Sequence, residues 1–156
     1  PGHAREPGAT GGRVMDASLN IPAGFERHDR SSPATRPWEP IWRRYSGDTD
    51  VLGLRVREDH CNSRGFVHGG LISSIADAAM GLSGVRRLGD LGSLVTVNLT
   101  VDFLGSALVG QWLEFDTVFV NPGRTLCFTQ AFVTADGQPC ARANAVFRVV
   151  RQQVAA

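Results

Sequence analysis

Asn62-SRGFV-His68-Gly69-Gly70-LISSIA-Asp77-AAMGLS-Gly84 is the stretch on which the fold reading turns. From Gly69 its apolar and small residues recur at helical spacing, which predicts a helix of about four turns ending between Gly81 and Gly84. Leu71, Ile75 and Leu82 mark its apolar side, whereas Ser73, Asp77, Gly81 and Gly84 share a small, open one. Asp77 is out of place there. It stands about two turns in, past the reach of the positive helix end, and aspartate is a poor mid-helix residue. Such an acid is solvated, paired with an arginine, or turned to a ligand cavity.

The front of the helix offers a complement. Its first N–H groups have no intrahelical partner, and Gly69 and Gly70 leave room for a ligand oxygen to approach them. A carbonyl gaining negative charge is well held at such donors. Next to them, His68 serves either as a general base or, the favoured reading, by bonding backbone groups at the turn. Asn62 reads as a turn residue or as an amide that binds a carbonyl or a water.

Outward from this stretch the chain reads as strands. VLGLRVRED sets Leu52, Leu54 and Val56 on one face. In LVTVNLTVDFL the alternation puts Val95, Val97, Leu99, Val101 and Phe103 on one face and Thr96, Asn98, Thr100 and Asp102 on the other. Two more strands follow, with turns at Asn121–Arg124 and Ala135–Gly137, and CARANAVFRVVRQ closes the set. One helix among such strands must pack on one broad, curved sheet. Its unpaired edges favour joining a second copy. Residues 1–47 form an extension rich in Gly, Pro, Ser and Arg, its first dozen residues loose. Trp38, Ile41, Trp42 and Tyr45 predict a short helix over 38–45 that caps the domain or its partner subunit, the favoured reading, or else helps to close a ligand pocket. The folded domain spans 48–156.

Composition narrows the function. The chain has 156 residues, 42% of them hydrophobic, and 16 basic against 15 acidic side chains for a net +1. That balance gives no reason to expect a nucleic-acid partner. No apolar run has transmembrane length, and Pro1 does not open a signal pattern. Cys61, Cys127 and Cys140 form no disulfide framework, which points to a reducing, cytoplasmic setting. Asp59, His60, Cys61 and His68 lack zinc spacing, and no phosphate-binding glycine loop is present. Cys61 has no orienting partners for a nucleophile.

Asn62, Gly65, His68-Gly69-Gly70 and Asp77, followed by Val95-Thr96-Val97 and Gly123-Arg124-Thr125-Leu126, resemble the hot-dog-fold acyl-CoA thioesterases of the PaaI-like type, related to 4-hydroxybenzoyl-CoA thioesterase. The similarity covers about residues 50–150. It implies an α+β hot-dog fold, a long central helix wrapped by a curved antiparallel sheet, in homodimers that often pair as tetramers. It implies hydrolysis of acyl-CoA to free acid and CoA, with coenzyme A as part of the substrate and no separate cofactor or metal. Asp77 would be nucleophile or general base, and the Gly69 N–H would polarise the thioester carbonyl. Asn62 would position carbonyl or water, His68 would support the loop, and Thr96 would orient water or carboxylate. Asp77 would face Asn62 and Gly69 of the other subunit. Arg124 is a candidate for a CoA phosphate. Gly105-Ser106 stands where such proteins commonly carry proline. A hydratase or dehydratase of acyl thioesters, and a noncatalytic acyl-CoA-binding protein, are the alternatives on this fold.

Overall fold

A computed structural model describes residues 20–89 and 92–150. The expectation of a loose first dozen residues lies outside them. Seven strands form one antiparallel sheet: β1 (Glu26–Arg27), β2 (Trp42–Ser46), β3 (Thr49–Arg55), β4 (Ser93–Phe103), β5 (Trp112–Pro122), β6 (Leu126–Ala135) and β7 (Gln138–Val150). Their spatial order is β1-β2-β3-β5-β6-β7-β4, which leaves β1 and β4 at the edges. Among the described residues there is one α-helix, α1 (Gly69–Leu88), which packs on one face of the sheet. This is the hot-dog fold, and the two hairpin turns fall where the sequence puts them.

Small residues on both partners bring α1 close to the sheet. Ala76 and Ala79 are fully buried, as are Ala131, Ala141, Ala143 and Ala145 on the facing strands. Larger side chains fill out the same core, Leu71, Ile75 and Met80 from α1 with Leu54, Phe115 and Phe147 from the sheet. Register shifts at Thr96/Asn98 in β4 and Thr117/Phe119 in β5 insert an extra residue in each strand. Such bulges bend a strand and increase its twist, so the sheet curls around the helix.

The β4 shift overturns the expected alternation. Leu94 reaches Gly84, the Thr96 hydroxyl reaches Asp77, and the Phe103 ring lies over Gly69, all on α1. Leu99 and Val101 pack against the core, while Val95 and Val97 are exposed. The helix-facing set is therefore Leu94 and Thr96 before the bulge and Leu99, Val101 and Phe103 after it. Thr96 does not share a face with Asn98 and Thr100.

The capping helix expected over 38–45 is also replaced. Arg36–Trp38 makes a single 3₁₀ turn, and Trp42–Ser46 is strand β2, paired with β3 in register Trp42↔Gly53 to Ser46↔Thr49. Backbone pairing with a neighbouring strand outweighs the helical spacing of four aromatic and aliphatic residues. The sheet thus takes residues from both sides of position 47. Asp50, almost fully buried, locks this region to the far end of α1: it accepts from Arg86 Nε at 2.9 Å, and its backbone N–H donates to Ser83 Oγ at 2.9 Å. The Arg86 guanidinium lies 4.1 Å from the centre of the Tyr45 ring.

Gly53 shows how tightly this corner is filled. A Cβ there would come 2.3 Å from Cζ2 of the buried Trp112 ring and 3.1 Å from Phe25. Gly53→Ala is expected to lower stability by about 1–3 kcal/mol, the usual cost of overpacking. Urea unfolding with an unchanged m value checks it.

Candidate active site

The chain reaches the start of α1 through a small hairpin closed by a Cys61↔Val67 bridge and by His68 N–H donating to the His60 carbonyl at 2.9 Å. Its turn needs the positive φ of Gly65 (81°) and is tied by Asn62, whose Oδ1 accepts from Arg64 N–H at 2.9 Å and Phe66 N–H at 3.3 Å. Asn62 is thus a turn residue through its oxygen, and its Nδ2 donors have no partner among the described residues.

His68 caps the helix: its Nδ1 accepts from Gly70 N–H at 2.9 Å. That bond takes up one of the outward donors and requires the proton to sit on Nε2. Gly69 N–H keeps no acceptor among the described residues, and its Cα lies beneath the Phe103 ring, where a Cβ would approach to 3.0 Å. The favoured structural reading of His68 and the open donor of Gly69 therefore occur together.

His60 holds the hairpin from beneath. It is 2% exposed, and its Nδ1 accepts from Arg57 N–H at 3.1 Å. Burial, with help from the Arg57 charge, pulls its pKa from 6.5 down to about 4. Between those values the unfolded chain binds the proton and the folded one does not, so this contribution is complete above pH 6.5 and lost as pH falls towards 4. The difference corresponds to about 3 kcal/mol. His60→Asn, which keeps an acceptor near Nδ1, is expected to flatten the fall in stability between pH 6.5 and 4, measured by denaturant unfolding against wild type. The neighbouring Cys61 donates weakly to the Arg57 carbonyl, and burial pushes its thiol pKa up, opposite to what a thiolate nucleophile needs.

Asp77 sits at the middle of α1 and is neither freely solvated nor paired with an arginine. Thr96 Oγ1 donates to its Oδ1 at 2.9 Å, and Oδ2 has no protein partner among the described residues. Partial burial raises the Asp77 pKa above the ordinary 3.8, and the Thr96 bond opposes that rise. The pair opens on a cleft of about 470 Å³ whose walls include Ser73 and Ser74 of α1, Leu99 of β4 and, from the loop between β1 and β2, Thr35 and Trp38. A second cavity, of about 380 Å³, lies at the helix start among His60, Cys61, His68 and Gly70. Both have Trp38 and Ser74 in their walls. Of the two readings of this segment, closing a pocket holds for Trp38, whereas the helix expected to carry it does not form.

The structure brings Asp77 and Thr96 together, and His68 with Gly70, but separates the two groups. Eight residues of helix put Asp77 about 12 Å from Gly69 along the axis. Arg124 falls elsewhere. It lines a groove of about 710 Å³ with Val95 and Arg148, on the side of β4 turned away from α1.

A helix laid in a curled antiparallel sheet, with a hydrogen-bonded acid at mid-helix and an open N–H at its start, defines a class that comparison with known proteins specifies. The family model "Thioesterase superfamily" matches residues 64–141, and the chain belongs to that superfamily. It is 36% identical over 132 residues, 84% of this chain and 98% of the relative, to "Putative esterase PA0474" of Pseudomonas aeruginosa. It is 30% identical over 86 residues to human acyl-coenzyme A thioesterase 13, covering 54% of this chain and 59% of the relative. Among solved structures, a mutant of phenylacetic acid degradation protein PaaI from Thermus thermophilus superposes with a TM-score of 0.68 at 22% identity, over 76% of this chain and all of that one. A hypothetical thioesterase from Streptococcus pneumoniae with coenzyme A gives 0.65 at 22%, over 74% and 93%. These two likenesses concern the fold.

Proposed function

We propose that this protein hydrolyses acyl-CoA thioesters, with Asp77 as the catalytic carboxylate. The observation that carries the reading is the Thr96–Asp77 bond: it occupies Oδ1, leaves Oδ2 for chemistry, and holds the acid at the edge of a cleft sized for a small ligand. Membership of the thioesterase superfamily and the likeness to acyl-coenzyme A thioesterase 13 support the substrate class.

In this reading Oδ2 takes a proton from a water that attacks the acyl carbon, or attacks that carbon itself to form an anhydride that water then opens. Either way the C–S bond breaks, one water is consumed, and the leaving thiolate gains a proton as free CoA. A thioester needs no metal for this, because thiolate is a good leaving group. It needs donors for the developing oxyanion, and the open Gly69 N–H supplies one at the positive end of α1. Asn62 adds its free amide donors to carbonyl or water, and His68 keeps the turn in shape.

The separation of Asp77 from Gly69 has a consequence. One carbonyl does not reach both groups of the same chain, so the working site joins Asp77 of one subunit to Asn62 and Gly69 of a second. Edge strand β4, which carries Thr96 and exposes Val95 and Val97, is the surface on which two copies would pair. Arg124, with no ion partner among the described residues, is assigned to a CoA phosphate. A homodimer, further paired into a tetramer, and a cytoplasmic location complete the proposal.

Release of free thiol from short, long and aromatic acyl-CoAs, followed with wild type and Asp77→Ala side by side, tests it. Equal rates for the two proteins would exclude Asp77 from the chemistry, and turnover of an enoyl- or hydroxyacyl-CoA without thiol release would favour the hydratase reading.

A further inference from the structure

The loop between β1 and β2, residues 29–40, crosses the open side of α1. It is closed at its base by His28 N–H donating to the Ile41 carbonyl at 2.9 Å. Inside it, Ser32 and Thr35 interlock: their hydroxyls lie 2.9 Å apart, and Thr35 N–H donates to the Ser32 carbonyl at 3.1 Å. Trp38 N–H then donates to the Thr35 carbonyl at 2.9 Å, which fixes the indole at the end of the 3₁₀ turn. The ring packs against the core and stands in the wall of both the Asp77 cleft and the cavity at the helix start.

We infer that Trp38 is a specificity-determining residue: its indole ends the acyl part of the Asp77 cleft and restricts the protein to compact, uncharged acyl groups. Among the described residues no arginine lines either cavity, whereas Arg124 and Arg148 line the groove on the other side of β4. The interior is thus suited to the acyl end of a thioester, and the phosphates belong outside. Ala34, Ala78 and Leu99 give that interior apolar contact, with serine and threonine hydroxyls between them. On the other side of the indole lies a second open space of about 380 Å³, lined by Leu71 and Cys61 together with the polar Asp59, His60 and His68. Removing the ring joins the two volumes and admits a longer chain. A partner subunit is not needed for this wall, since loop and helix come from one chain.

The inference rests on the thioesterase reading, and its test separates the two. The quantity to measure is the ratio of kcat/KM for dodecanoyl-CoA to that for acetyl-CoA, in wild type, Trp38→Ala, Trp38→Phe and Asp77→Asn. A ratio within one protein is independent of how much of it is folded. Trp38→Ala is expected to raise the ratio by about tenfold or more, and Trp38→Phe by less, in keeping with what a few methylenes are worth in an apolar pocket. An unchanged ratio in Trp38→Ala, with Asp77→Asn inactive, overturns the role of Trp38 and leaves the thioesterase reading standing. Wild-type protein that releases thiol from neither substrate, or Asp77→Asn that retains full activity, overturns the reading of the site and this inference with it.

Discussion

Asp77→Asn is expected to remove at least about 10³-fold of thiol-release activity while leaving the fold intact, a loss in line with removal of an acid–base group. The same change is expected to make the protein more stable at neutral pH. In the folded state Asp77 holds its proton above the ordinary carboxylate value, because burial disfavours the anion. The folded chain therefore binds more protons than the unfolded one between the ordinary and the raised value, and stability falls as pH climbs through that window. Above it the cost remains in full. Asparagine carries no charge, so the variant melts above wild type at pH 7.5, and this advantage vanishes below the ordinary carboxylate range. Thermal melting of both proteins across pH measures it. A destabilised Asp77→Asn would mean that the carboxylate serves the fold and not a reaction. The activity of wild type adds a second reading: its acid limb in kcat/KM is expected to have a midpoint above 3.8.

The second large effect concerns the two chains. Asp77→Asn alone and Asn62→Ala/Gly69→Ala alone are each expected to be inactive, since every site in either homodimer lacks one half. When both chains are co-expressed, about half the dimers are mixed, and each mixed dimer holds one intact site of two. Activity is then expected to return to about a quarter of wild type, the figure set by two-fold pairing of unlike chains. Recovery requires exchange of subunits, so two separately purified, cross-linked homodimers would stay inactive on mixing. Absence of any recovery in the co-expressed protein would place both halves of the site within one chain. Gly69→Ala acts without removing the donor itself: its Cβ fills the space above the N–H and pushes on Phe103, so the oxyanion is kept away.

Much of the molecule was legible in the chain alone, for reasons that are local. The helix from Gly69 and the strands from Leu94 onward follow from periodicity, and the hairpin turns from their glycines. Asp77 announced itself as an acid in a position where neither helix propensity nor the helix dipole favours one. His68 before two glycines read as a cap, and its Nδ1 accepts the Gly70 N–H. Where reading failed, the cause was a tertiary term with no local sign. The bulge in β4 leaves Val95 and Val97 alternating as before, so nothing in the string reveals that the face changes between Thr96 and Leu99. Trp38, Ile41, Trp42 and Tyr45 have helical spacing, yet pairing with β3 satisfies the backbone of Trp42–Ser46 as a strand.

The amino-acid sequence by itself determined that one helix with a displaced acid would lie in an antiparallel sheet, because hydrophobic period and turn chemistry are properties of neighbours in the chain. Only the tertiary structure decided what that acid meets. The bulge turns the Thr96 hydroxyl onto Asp77, the β1–β2 loop carries Trp38 across the helix to wall the cleft, and the length of α1 keeps Asp77 away from Gly69. Each depends on the distance between segments remote in sequence, which only the packed sheet fixes.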